Sequence, residues 1–448
     1  MFTKNQAIEH ATDVVARATK AGADAADAVV VASGSTDVSV RLGKIEGLGR
    51  SESNELGLRV FVGTRSASAS TSDLSAAAIG ALVERTIAMA RLAPEDPYAG
   101  LAPAELLAKG PFADFDLDDG AEVEPEALRD RAMAAEEAAR AVAGVTNSEG
   151  GGASHSTGVS GIATSTGFAG AQAGSSHSIY ASVLAGEGSR MQRDYQSHGA
   201  RHLSDLEDAA IVGTEAGRRA VARLDPVKLP SGPMPVIFDR RVSSSLIGHL
   251  IGAITGGAIA RKTSFLLDSL GKSVFAKGIR IIDDPHRPRG HRSRAFDSEG
   301  LPTHPVPLID DGVLTQWIAE SASAKQLGIT PTGHAGRGVS GPPGAGTSNL
   351  HMEAGTVSPQ ALMADIADGF YVTELIGMGI NGLTGDYSRG AAGFRIVNGE
   401  IAGAVAEVTI AGNLKDMFAA LIPADDLEFR HATNAPTVRI DGMTIAGA

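Results

Sequence analysis

A proline-crowded segment near the middle of the chain does most to limit how it folds. Pro226, Pro230, Pro233 and Pro235 fall within the eleven positions from Asp225 to Pro235. Each proline removes a backbone donor and fixes φ, so neither a helix nor a central strand runs through such a segment. A chain of 448 residues is long enough for two or more buried cores. The segment therefore predicts an N-terminal α+β domain over 1–224 and a strand-rich C-terminal domain over 230–448.

Periodicity fills in both halves. Ile8, Ala11, Val15 and Ala18 share one face of a helix from Thr3 to Lys20. Val38, Val40 and Leu42 alternate with polar residues, as do Leu56, Leu58, Val60 and Val62, which reads as strands. Asp73 is placed to cap a helix whose apolar face is Ile79, Leu82, Val83 and Ala90. Pro125 suits the first turn of another helix, running to about Val142. Residues 150–186 are rich in glycine, serine, alanine and threonine, yet Val159, Ile162, Ile179, Tyr180 and Val183 recur, so small-residue strands are expected. Ser204 and Glu207 have capping-box spacing ahead of a helix to about Ala222. In the second half, Val242 to Ala260 reads as a glycine-rich helix. Asp311-Gly312 and Asn398-Gly399 each fit a two-residue hairpin turn between apolar strands. Ser358, Pro359 and Gly369 mark the cap, first turn and stop of a short helix. Helices and strands do not alternate as in a doubly wound sheet, so the fold class is α+β.

Charge and composition exclude several functions. The net charge is −13 and no lysine or arginine run offsets it, which argues against direct nucleic-acid binding. Arg280 to Arg294 is the richest basic stretch and reads as a solvated loop or a local anion site. The N-terminus lacks an apolar signal region, and Leu246 to Ala260, the most apolar segment, is too short for a bilayer. With no cysteine, disulfides and thiolate chemistry are excluded, which is compatible with a cytoplasmic location.

Local motifs add little by themselves. Gly377 to Gly382 spells G-x-G-x-x-G, but the turn-rich LTGDYSRGAAG that follows is not the helix a pyrophosphate site needs. Gly271-Lys272-Ser273 ends like a P-loop without its first glycine, and no G-x-S-x-G elbow occurs. His286 and His291 are separated by Pro288 and Gly290, so no helix presents them together. His249 lies on an expected helix with no histidine or glutamate within reach as a metal partner. His334 and Arg337, set between glycines at 333–338, suit close approach to a peptide or carboxylate. With Tyr387 and Arg389 in the glycine-rich 385–393 stretch, they are the candidate lining of a groove for an extended peptide. The alternative is that these residues only fix tight turns. No catalytic residue is assigned.

The strings GLRVFVGTRSASAST, RKTSFL, GIRIIDDP, SEGLPT, DDGVL, TGHAGRG, GDYSRGAAGFRIVNGEI and AGNLKDM occur in this order. In that respect the chain resembles the TldD/PmbA family, also named for modulation of DNA gyrase, on its PmbA (TldE) side. The resemblance implies a two-domain fold and a heterodimeric metallopeptidase. In it a TldD-type subunit carries zinc on an H-E-x-x-x-H helix with a cysteine as third ligand. Counting back from Arg261-Lys262-Thr263-Ser264 places Ile247, Gly248 and Gly252 where the family has His, Glu and His. His249 falls between ligand positions. The resemblance thus implies a metal-free subunit binding no stoichiometric zinc, with the zinc in its partner. It also implies action on unfolded or short peptides, including leader peptides of modified peptide antibiotics, and a homodimer as a second assembly. A stand-alone peptide-binding or scaffold protein is the alternative from a different class, and an independent hydrolase built on His334 and nearby acids is the third.

Overall fold

The computed structural model describes residues 2–447. The first half is one antiparallel sheet with helices on one face. Its elements run α1 (Lys4–Lys20), β1 (Ala25–Arg41), β2 (Lys44–Val62), β3 (Arg65–Thr71), α2 (Ala76–Leu92), α3 (Pro125–Arg140), β4 (Val145–Thr164), β5 (Ala169–Ala185), β6 (Gln192–Ala200) and α4 (Ala209–Ala222). The strands lie in the order β3-β2-β1-β4-β5-β6. The small-residue segment is a long hairpin, β4 against β5. Alanines and glycines there let helices sit close to the sheet. A Cβ added at Gly161 would meet the Ala7 carbonyl carbon of α1 at 2.7 Å.

Residue alternation divides the two faces. Ala26, Ala28 and Val30 of β1 pack with Leu56, Leu58 and Val60 under α1 and α2. Ile179, Ala181 and Val183 of β5 pack under α3 and α4. Val29 and Ile162 point the other way and meet Phe168 and Phe296 at the junction with the second half.

The second half begins with β7 (Gly232–Phe238), α5 (Arg240–Ile254), α6 (Gly256–Ala260), β8 (Ile281–Asp283), β9 (Val306–Asp310), β10 (Val313–Leu314) and α7 (Ser321–Leu327). Next come β11 (Ala335–Gly336), β12 (Gly344–Ala345), β13 (Leu350–Met352), α8 (Pro359–Met363), β14 (Asp368–Ile376), β15 (Asp386–Val397) and β16 (Glu400–Asn413). α9 (Leu414–Ala420), β17 (Ile422–Pro423), β18 (Thr433–Asn434) and β19 (Val438–Ala446) complete it. The largest sheet has the order β16-β15-β14-β7-β19-β17, and α5 packs on it through Leu246, Ile247, Leu250 and Ile254. The proline segment runs beside β16, with the Val227 N–H donating to the Ala404 carbonyl at 2.7 Å. No helix among the described residues is long and apolar enough to cross a membrane.

Both hairpin turns form as expected: Asp311 and Gly312, and Asn398 and Gly399, all have positive φ. Several helix signals move. Ser75, not Asp73, caps α2; the Asp73 carboxylate instead accepts the Ser75 N–H. α4 is capped by Asp208, because Leu203–Asp205 is a short 3-10 turn held by the Leu203 N–H on Asp119. The helix expected over Val242 to Ala260 breaks at Thr255, whose hydroxyl caps α6. α8 ends at Met363, and Gly369 lies within β14, where an added Cβ would meet Ile366 Cγ2 at 2.6 Å and the Pro235 carbonyl oxygen at 3.1 Å. Leu42 leaves the strand for the β1–β2 turn, with φ of 51°.

Candidate functional site: a cavity beside α5

Asp239 sets the start of α5. One carboxylate oxygen accepts the Arg241 N–H and the other the Tyr371 hydroxyl, at 2.8 and 2.7 Å. With the apolar stripe of α5 in the core, Ser244, Ser245 and Gly248 face a cavity of about 430 Å³. β6 and the end of α4 close it from the first half, with Asp194, Tyr195 and Arg223. β14 and β15 close it from the second, with Glu374 and Arg389. The cavity therefore lies between the two halves.

Its wall is ionic. The buried Asp194 carboxylate accepts from Arg241 at 2.7 Å and Arg223 at 3.3 Å, and Arg223 reaches on to Glu374. Burial alone would raise the Asp194 carboxyl, but the Arg241 hydrogen bond and charge hold it below its usual range. The Arg241 guanidinium also lies 5.4 Å from the centre of the Tyr195 ring.

Behind Gly248 is a second group. His249 meets the Tyr387 ring edge-on, with centroids 6.0 Å apart, and the Arg389 guanidinium lies beside the Tyr387 hydroxyl, short of a hydrogen bond. His249 Nε2, the Tyr387 hydroxyl and Arg389 Nε are all buried and all lack a hydrogen-bond partner. Burial, with Arg389 adding to it, depresses His249 to about 4, so the ring is neutral at pH 7. Burial pushes Tyr387 up to about 12.

The structure separates the four residues expected to line one groove. Tyr387 and Arg389 belong to the α5 region. His334 and Arg337 sit at the junction of the halves. His334 Nδ1 lies 2.7 Å from the Thr332 carbonyl and Nε2 lies 3.4 Å from Asp283. Arg337 is ion-paired with Asp27, which also takes Arg59, with Nε at 3.0 Å. Gly57 lets this loop approach, since a Cβ there would meet the Val339 carbonyl oxygen at 1.8 Å. Arg280 and Arg289, from the basic stretch, pair with acids: Asp310 and Glu353, and Asp116 and Asp205. Asp194, Arg223 and Arg241 carried no signal in the sequence, being brought together from three distant segments.

On α5 itself, Ile247 is buried in the core. Gly248 and Gly252 face open space, with nothing within 4 Å of an added Cβ. None of these three positions offers a metal ligand.

Comparison with known proteins covers nearly the whole chain. The PmbA/TldA metallopeptidase C-terminal domain matches residues 231–447, the central domain 118–224 and domain 1 26–90. Metalloprotease PmbA of Escherichia coli O157:H7 is 39% identical over 98% of this chain and 96% of its own length. The chain belongs to the PmbA/TldD metallopeptidase family. A Haemophilus influenzae Metalloprotease PmbA homolog is 37% identical over 99% of this chain and 96% of its own. Among solved structures, a Bacteroides thetaiotaomicron protein named for modulation of DNA gyrase superposes with a TM-score of 0.91 at 27% identity, over 100% of both chains. TldE from Thermococcus kodakarensis has the same fold, with a TM-score of 0.87 at 22% identity over 98% of this chain and 100% of its own.

Proposed function

We propose that this chain is the PmbA (TldE)-type subunit of a heterodimeric, cytoplasmic metallopeptidase, and that it carries no catalytic zinc of its own. A TldD-type partner supplies the metal. The pair cleaves unfolded or short peptides, including leader peptides of modified peptide antibiotics. The observation that carries the reading is α5: Ile247 is buried in the core, Gly248 lines a cavity rich in arginine, Gly252 faces open space, and none of the three offers a metal ligand. Zinc hydrolysis needs three protein ligands and an open position, so this helix cannot assemble it.

What the cavity does offer is a place for a peptide. Arg389 has an unpaired, buried N–H beside neutral His249 and the Tyr387 hydroxyl. A guanidinium in that state pairs with a carbonyl or a terminal carboxylate. The test is cleavage of an unfolded peptide by the purified chain with added zinc, alone and mixed with a zinc-bearing family member. Cleavage is expected only in the mixture. Chelator-sensitive cleavage by this chain alone would refute the assignment.

A further inference from the structure

The helix-covered face of the first sheet carries a pair of histidines unrelated to α5. His155 on β4 and His177 on β5 are directly opposite in the antiparallel register. Their rings stack with centroids 4.7 Å apart. Two residues along the same strands, Ala153 packs on α3 and Ile179 on α3 and α4. Alternation therefore puts both histidines on that face. There the connection between α2 and α3 delivers a carboxylate. Asp119 Oδ2 is 2.8 Å from His177 Nε2. Asp119 is itself fixed, accepting the Leu203 N–H at 2.9 Å and the Ala121 N–H at 3.1 Å.

One ligand atom from each of Asp119, His155 and His177 lies within 4.8 Å of the other two. His155 Nε2 and His177 Nδ1 are buried without a hydrogen-bond partner, and His177 is only 1% exposed. Buried polar nitrogens are ordinarily satisfied, so the orphaned His155 Nε2 near a fixed carboxylate, which His177 already meets through Nε2, calls for a partner.

We propose that Asp119, His155 and His177 form a site for a divalent transition-metal ion, with zinc as its occupant. Two imidazoles and one carboxylate are the borderline-soft donor set that zinc takes. Zinc bonds of about 2.0–2.1 Å in a tetrahedron place ligand atoms about 3.3 Å apart, so the 2.8 Å Asp119–His177 contact opens slightly as the ion enters and the side chains need only a modest adjustment. The half-buried His155 also borders a cavity of about 210 Å³ lined by Ser33, Thr36, Ser51 and Asn54, where a water can take the fourth position. The ion would staple the α2–α3 connection to the β4–β5 hairpin, so its role is structural. None of its ligands lines the α5 cavity. The expectation of a chain without any metal is thereby narrowed to α5, and hydrolysis is not involved.

The test is zinc titration of the metal-stripped full-length protein, with cobalt(II) as a spectroscopic probe. The expected result is one ion per chain, tetrahedral cobalt d–d bands and a higher Tm with zinc. His155→Ala is expected to bind zinc at least tenfold more weakly and to lose the Tm response. This histidine has no hydrogen-bond partner at Nε2 to lose. If His155→Ala does not fold, His155→Gln, which keeps volume and lacks the ring nitrogens, takes its place. No zinc uptake by the native protein, or equal affinity in the folded variant, would overturn the proposal.

Discussion

Two buried polar clusters in this protein use similar residue types and end in different states. At the junction of the halves, Asp27 takes both Arg59 and Arg337, and Glu299 accepts the Ser321 N–H and hydroxyl at 2.8 and 2.7 Å. Two nitrogens of Arg337 stay unpaired, but its guanidinium is ion-paired with Asp27. Beside α5, Arg389 and its neighbours His249 and Tyr387 have no such internal match. The first cluster holds strands and loops 310 residues apart in sequence. The second borders a cavity. Matched buried charge fixes architecture, whereas unmatched buried polar groups mark where something else binds.

The contrast is sharpest in mutational cost. Asp27→Ala would leave the buried Arg337 guanidinium without its ion-pair partner and Arg59 with only Glu299 at 3.9 Å, and a loss of about 3–5 kcal/mol is expected from denaturant unfolding. A loss below about 1 kcal/mol would mean that the junction is not held by this charge.

The two clusters should also respond oppositely to pH. Burial raises Glu299 to about 7, above the ordinary 4.5 of the unfolded chain. The folded state then binds more protons in that window, so this group's contribution is full below pH 4.5 and lost as pH rises toward 7. Glu299→Gln is expected to flatten that limb of a stability–pH curve, and an unchanged slope would count against it. His249 is depressed to about 4 from 6.5, by burial and then Arg389. Its contribution is present above pH 6.5 and lost as pH falls toward 4. His249→Phe keeps the edge contact with Tyr387 and is expected to remove that smaller acid-side loss, as read by Tm between pH 4 and 7.

Much of the fold was legible because local chemistry decided it. α1 follows from the spacing of Ala11, Val15 and Ala18, with Thr3 as its cap. The hairpin turns follow from Asp-Gly and Asn-Gly. β4 and β5 were readable despite their glycines, because sparse valines and isoleucines kept the period. Helix starts at Asp73 and Ser204 misled, since several capping residues crowd each start and tertiary bonds such as Leu203 to Asp119 choose among them. In the site, it was readable that Ile247, Gly248 and Gly252 on α5 carry no metal-ligating side chain. The grouping of His334 and Arg337 with Arg389 was not resolvable by sequence. Glycine marks close backbone approach without saying what approaches, and Arg337 has its partner, Asp27, at the other end of the chain.

The α5 cavity as a peptide site is tested most directly by calorimetric titration of an unfolded peptide into the native chain and into Arg389→Ala. Hydrogen bonds to a charged group contribute about 1.5–3 kcal/mol, so affinity should fall at least about tenfold. Because Arg389 is half-buried and unpaired at Nε, folding stability should change little. Equal affinity for the peptide in a folded Arg389→Ala protein would contradict the assignment of the cavity.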